Sequence, residues 1–224
     1  CLEMNWDNRL VLQLHRGSVS RGGVKIDGAS ANANPGKPAG YIKDEDLPLI
    51  VRFHKLRRSD WDPQVALHGK GVSEILLGAL ALDSLFHEVK RETSSYRQKR
   101  SVWERIRSGP DLAATLDWQI REDGSARPVL RLSGPEGGDV SGDPLLLPTR
   151  PVLYLDPMDH RCGTIVSDLP PEVLLGWSKG PVLNAEELEA ASEGLEQLSA
   201  ALPGPIKVET VRLPKSKPMP HLHI

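Results

Sequence analysis

Between Lys90 and Arg107 the chain carries seven basic side chains, Lys90, Arg91, Arg97, Lys99, Arg100, Arg105 and Arg107, against two carboxylates, Glu92 and Glu104. Cations at this density attract phosphate backbones even on a protein of slightly acidic overall balance. Tyr96 and Trp103 lie inside the same run, and aromatic rings interleaved with cations are what a nucleic-acid surface uses to stack bases. Arg97, Lys99, Arg100, Arg105 and Arg107 are close enough in sequence to form one patch, whether the segment is helical or looped. The plain alternative is a solvated face of a helix or loop. The formal net charge of −2 conceals an asymmetry: residues 1–110 hold 18 Lys and Arg against 13 Asp and Glu, while residues 111–224 hold 10 against 17. Any contact with nucleic acid is therefore expected at the basic run. It should be weak, non-specific and abolished near physiological ionic strength.

Other chemistry is thinly represented. A phosphate loop needs Gly-rich backbone followed by Gly-Lys-Ser/Thr. The nearest text, His68-Gly69-Lys70-Gly71-Val72-Ser73, has Gly where the hydroxyl should follow Lys, and Gly69 and Gly71 read better as a helix start. No Asp-Glu-Ala-Asp or Asp-Glu-Ala-His string and no Gly-x-Ser-x-Gly elbow occurs. His221 and His223 fall on one face of an extended segment, with Cys162 or His160 as further metal ligands, but zinc sites use tighter, repeated spacing, and no stoichiometric zinc is expected. Cys162 reads as a small strand residue, because no His–acid pair is tied to it in sequence. The carboxylates at Asp44-Glu45-Asp46, and at Asp117 with Glu122-Asp123, read as caps and turns.

The elements that would hold these groups follow from patterning. With 39% hydrophobic and 4% aromatic residues the core must be aliphatic, and 20 Gly with 19 Pro imply short elements and many loops. Two cysteines cannot form a disulfide framework, so the chain reads as intracellular and cytoplasmic. No apolar run reaches membrane-spanning length. The start at Cys1 and the alternating Pro220–Ile224 end both read as cuts in a longer protein.

Arg9–His15 alternates as a strand, Gly17–Gly23 reads as a turn, and Val24–Ile26 as the return strand. Asp27–Gly40 reads as a linker. Asp44 is a candidate N-cap for a helix that admits Pro48 in its first turn. Val72–Leu85 is the best helix of the first half. Leu112–Ile120 and Pro128–Leu132, joined through Asp123-Gly124, read as a hairpin. Gly134–Asp143 is a loop. Pro151–Leu155 and Cys162–Val166 form a buried hairpin around the turn Asp156–Arg161, in which Asp bonds its own backbone. A short helix follows Pro170-Pro171. A longer one runs from Asn184 to about Leu202, and Ile206–Leu213 is a last strand. The pattern lacks a regular βαβ period, which gives an α+β fold, irregular and loop-rich, with short antiparallel hairpins between helices. Three regions are expected: 1–58, a hairpin plus helix; 59–110, helical and basic; and 111–224, hairpins with C-terminal helices.

The order of these pieces resembles a known family. Pro151-Val152-Leu153-Tyr154-Leu155-Asp156, then Cys162-Gly163, Leu169-Pro170-Pro171, an Ala/Glu/Leu-rich helix and Pro218-Met219-Pro220-His221-Leu222 are similar to the region ahead of the motor in bacterial Swi/Snf-type, DEAD/DEAH-box helicase-like ATPases. Leu10–Lys25, Tyr41-Ile42 before an acidic helix start, and the Trp-containing Leu112–Leu132 hairpin follow the same order. The family often carries a SWIM zinc finger at its N-terminus, but Cys-x-Cys and Cys-x-His pairs are absent here, as are the helicase motifs. The resemblance therefore implies the piece between zinc finger and motor. That piece would be a non-catalytic accessory region with no cofactor of its own, ATP and Mg²⁺ belonging to the parent motor. Its implied partners are the motor domains of the same chain and DNA, with no membrane. A stand-alone interaction module, docking through the acidic Glu186–Glu196 helix, is the alternative from another class. A small hydrolase using Cys162 or the histidines is a third.

Overall fold

The computed structural model of the chain describes residues 1–5, 7, 9–20, 23–30, 36–37, 39–59, 62–92, 99–137, 144–177, 179–184, 186–188, 190 and 208–212. In chain order its elements are β1 (Leu2–Met4), β2 (Leu10–Gln13), β3 (His15–Ser20), β4 (Gly23–Ser30), α1 (Leu47–Leu56), β5 (Gln64–Ala66), α2 (Lys70–Ala81), β6 (Phe86–Glu92) and β7 (Lys99–Arg105). There follow β8 (Arg107–Ser108), β9 (Leu112–Ile120), β10 (Ala126–Ser133), β11 (Leu145–Leu147), β12 (Leu153–Asp156), β13 (Arg161–Val166), α3 (Pro171–Trp177) and β14 (Val208–Arg212). The fold is mixed α+β, as expected, but strands outweigh helices more than the patterning suggested.

The chain divides into two compact units, residues 1–111 with 141–165, and residues 112–140 with 166–224. In the first, a five-stranded sheet has the order β5-β2-β1-β6-β7, with β1 antiparallel to β2 and parallel to β6. A second set is antiparallel through β11, β12 and β13, and the short β8 joins β13 in parallel. The aliphatic core gathers Leu2, Leu12, Phe53, Leu76, Leu85, Ile106, Leu147, Leu153 and Cys162, all at 6% exposure or less. In the second unit β9 pairs antiparallel with β10 and parallel with β14, and α3 packs on β9 and β10. The α3 residue Trp177 lays its ring 4.9 Å from that of Trp118, and its indole N–H lies 3.2 and 3.1 Å from the carbonyl oxygens of Asp117 and Val129. Asp117 is buried and paired with Arg131 at 2.7 Å, so it is a structural carboxylate.

Several expectations hold at the level of single residues. Gly124 takes φ +79 in the β9–β10 turn, where a side chain would be strained. Asp156 Oδ1 accepts from the N–H groups of Met158 and Asp159 at 2.9 and 3.1 Å. Asn184 and Glu187 exchange reciprocal side-chain to backbone hydrogen bonds, each 2.9 Å, the pattern of a capping box. The helix expected onward to Leu202 lies largely outside the described residues.

Four local readings are corrected. The strand after His15 runs through Gly17 to Ser20 and pairs antiparallel with β4, with a register shift between His15 and Gly17, because backbone pairing, not side-chain patterning, holds this ribbon. Asp27–Ser30, taken as linker, therefore belongs to a strand. Helix α1 starts at Leu47, not Asp44: residues 44–46 form a turn closed by Asp46 N–H to the Lys43 carbonyl at 3.0 Å, and Asp46 is the cap position. Helix α2 ends at Ala81, since the chain must turn through Asp83, at φ 51, to enter β6.

Candidate nucleic-acid interface

The basic run is neither a helix nor a loop over its described residues. It is an antiparallel hairpin, β6 against β7, with β7 at the edge of the five-stranded sheet. The local sequence Phe86–Glu92 has no clean apolar alternation, so strand formation is imposed from outside. β6 docks on β1 with Leu2 opposite His87, and the buried Phe86, His87 and Ile106 tie its inner end to the core. The register sets Phe86 opposite Arg105, His87 opposite Glu104, Glu88 opposite Trp103, Val89 opposite Val102, Lys90 opposite Ser101, Arg91 opposite Arg100 and Glu92 opposite Lys99.

The singled-out residues are thus not equivalent. Arg97 lies outside the described residues. Lys99 and Arg100 occupy successive positions at the outer end of β7. Successive strand positions alternate between faces, so the run is shared between the two faces of the hairpin. Arg105 lies six residues further along, about 20 Å at the usual strand rise. Its guanidinium is 5.5 Å from the centroid of the Phe86 ring, a cation–π contact. Arg105 and Phe86 also line a cavity of about 630 Å³ with Leu12, Leu49, Ile75 and Leu85. Arg107 sits beyond the hairpin on β8, where its N–H donates to the His160 carbonyl at 2.8 Å.

Two features escaped the sequence reading. The pairing of β8 with β13 sets Arg107 beside Arg161, both exposed, although 54 positions separate them. The buried His87 and the half-buried His160 approach Nε2 to Nδ1 at 2.8 Å, one ring donating and the other accepting. Burial, then the neighbouring His160, holds His87 below the ordinary histidine range, so His87 favours its neutral form. No alternation at residues 86–92 marks His87 as inward, since the adjacent Phe86 is buried as well. Trp103, expected as a stacking platform, is half-buried, with its ring centroid 4.9 Å from that of His15. Tyr96 lies outside the described residues.

The remaining candidates resolve into structure. The Gly69 N–H donates to the Pro148 carbonyl at 3.0 Å, and the buried Ser73 hydroxyl donates to the Arg150 carbonyl at 2.6 Å, so the chain's own 148–150 segment engages the groups a phosphate loop would present. Cys162 is fully buried, and desolvation pushes its thiol up to about 12, leaving no thiolate nucleophile near neutral pH. His221 and His223 lie outside the described residues. Among the described residues no group of three or more His, Cys, Asp or Glu side chains could hold a metal ion, and no helix is long and apolar enough to cross a membrane.

Comparison with known proteins finds no match: no family model, no curated protein and no solved structure resembles the chain significantly.

Proposed function

We propose that this chain is a non-catalytic accessory region of an ATP-dependent Swi/Snf-type DNA helicase or translocase, acting in the cytoplasm. It would dock on the motor domains of its own parent protein and guide nucleic acid toward them. The observation that carries the reading is the basic run folded as a sheet-edge hairpin, anchored by buried residues at one end and rich in cations at the other. An edge hairpin of this kind is a natural place for phosphate contact, because its cations are presented by a supported backbone. The order of motifs from Pro151 to Leu222 supports the same parentage. ATP and Mg²⁺ would be held by the motor.

The test has two parts. The reading frame continuing past Ile224 is expected to encode a phosphate loop with Gly-Lys-Ser/Thr; a stop codon there would refute the helicase parentage and favour a stand-alone interaction module. Calorimetric titration of the 224-residue chain with ATP is expected to show no saturable uptake. A micromolar affinity would contradict the assignment of nucleotide chemistry to the motor alone.

A further inference from the structure

We infer that His87 and His160 form a proton-sensitive clasp, whose ring-to-ring hydrogen bond holds strand β6 to the β12–β13 turn near neutral pH and opens in mild acid. The clasp stands apart from the accessory-region reading and holds for any parent protein.

Two distant stretches of chain build the contact. β6 docks on β1 with Leu2 opposite His87, and His87 is left at 6% exposure. His160 closes the turn after β12 in left-handed backbone, at φ 53, and Asp156 Oδ1 accepts from the preceding N–H groups of Met158 and Asp159. The two rings meet with centroids 5.0 Å apart and His87 Nε2 2.8 Å from His160 Nδ1. The His160 carbonyl accepts the Arg107 N–H at 2.8 Å, so ring and backbone secure the same junction.

Proton counting decides how this junction responds to pH. A neutral imidazole has one N–H and one bare nitrogen, so two neutral rings can share one N–H···N bond. One added proton can sit on an outward nitrogen and leave that bond intact. A second added proton puts N–H on both facing nitrogens: the acceptor is gone, and two cations stand in contact. Buried, unpaired charge is costly, so the closed pair refuses the second proton. The opened chain accepts it, because free histidine takes a proton near pH 6.5. On the strands packed against His87, the charged groups are Glu104 on β7, its register partner, Glu3 on β1, held by His15 at 3.1 Å, and Glu88 beside it on β6. Around His160 they are Asp156, Asp159 and Arg161 of the hairpin and Arg107 on β8. Glu104 favours a charged His87, but burial and His160 outweigh it and keep His87 below the ordinary range. The contribution of His87 to stability is therefore complete above about pH 6.5 and is lost as the pH falls below it.

Amide hydrogen exchange of the full chain at pH 7.5 and 5.0, with each rate divided by its intrinsic rate at that pH, reads the opening. The reporter is the Arg107 N–H on the His160 carbonyl. The control is the Ile165 N–H, bonded to the Val152 carbonyl at 2.9 Å at the other end of the β12–β13 hairpin. One proton refused by the closed form and accepted by the open form near pH 6.5 enlarges the open population by up to about thirtyfold at pH 5.0. Protection at Arg107 is expected to fall at least about tenfold between the two pH values, and at Ile165 less than about threefold. In His87→Gln the amide can still donate to His160 but does not ionise, and the fall at Arg107 should shrink below about threefold. In His160→Asn, a residue that suits left-handed backbone, Oδ1 remains an acceptor when His87 is charged, and the fall should shrink likewise. No fall at Arg107, an equal fall at Ile165, or an undiminished fall in His87→Gln would each overturn the inference. An undiminished fall in His160→Asn would show that burial of His87 alone sets the response, and would overturn the pair as the device. If circular dichroism shows that His87→Gln fails to fold, His160→Asn decides alone.

Discussion

The first unit contains two hairpins built on opposite principles. In β12–β13 every residue from Val152 to Asp156 is buried, Cys162 is inaccessible, and the strands are flanked by β11 and β8. In β6–β7 the buried Phe86 and His87 lie at the inner end, and Lys90, four positions beyond Phe86, is exposed. The first hairpin is held by what its side chains displace from water. The second is held at its inner end, where β6 docks on β1. The same backbone motif thus serves as core in one place and as a sheet edge in the other. The difference lies in side-chain burial and charge, not in hydrogen bonding.

The comparison should show most strongly in stability. Leu153 is fully buried, and Leu153→Ala is expected to cost about 3 kcal/mol in urea unfolding of the full chain. Gly163 has no room for a side chain: an added Cβ would lie 2.8 Å from the Pro110 carbonyl oxygen and 2.9 Å from Tyr154 Cε1. Gly163→Ala is expected to cost about 2 kcal/mol, because a backbone oxygen cannot move aside as a flexible side chain can. By contrast, Lys90→Glu on the exposed outer end should stay within about 0.5 kcal/mol. Comparable losses at Lys90 and Leu153 would erase the distinction between the two hairpins.

A smaller effect separates them by pH. Burial raises the Cys162 thiol from its ordinary 9.0 to about 12, and burial followed by the neighbouring Cys162 raises the Tyr154 phenol from 10.0 to about 12. Both groups are acids whose neutral form the fold favours. Their contribution is therefore complete below pH 9, and it is lost as the pH rises toward about 12, where the unfolded chain ionises first. Urea unfolding between pH 8 and 11 is expected to show declining stability. Tyr154→Phe should flatten that decline while losing the 2.9 Å hydrogen bond to the Pro110 carbonyl, a cost of about 1 kcal/mol at pH 8. A decline unaffected by Tyr154→Phe would place the alkaline sensitivity elsewhere.

The two hairpins also differ in how far they could be read from the sequence. The run Pro151–Leu155 announces a buried strand because apolar residues occupy both faces, and Asp156 announces its turn. Asp123-Gly124 announces the β9–β10 hairpin for the same local reason. Residues 86–92 and 99–105 carry no such signal: their charges dominate the pattern, and it is the docking of β6 on β1 and of β7 on β6 that makes them strands. The two- and three-residue strands β8 and β11 exist only through their partners, and no local pattern marks them. Of the candidate interface, the identity of the cations was legible and their grouping was not. Facing pairs such as Arg91 and Arg100 require the register, and the neighbours Arg107 and Arg161 or His87 and His160 require the tertiary fold. Trp103 looked available for stacking because nothing near it in sequence shows that His15 covers it.

The most direct measurement is the salt dependence of duplex binding by the full chain. If the basic run contacts duplex DNA, the logarithm of the binding constant falls with the logarithm of salt concentration by about 0.9 for each phosphate neutralised. The slope should be independent of DNA sequence and should fall in a variant carrying Arg97→Glu, Lys99→Glu and Arg100→Glu. Binding with a slope near zero, or no binding at low salt, would contradict the account.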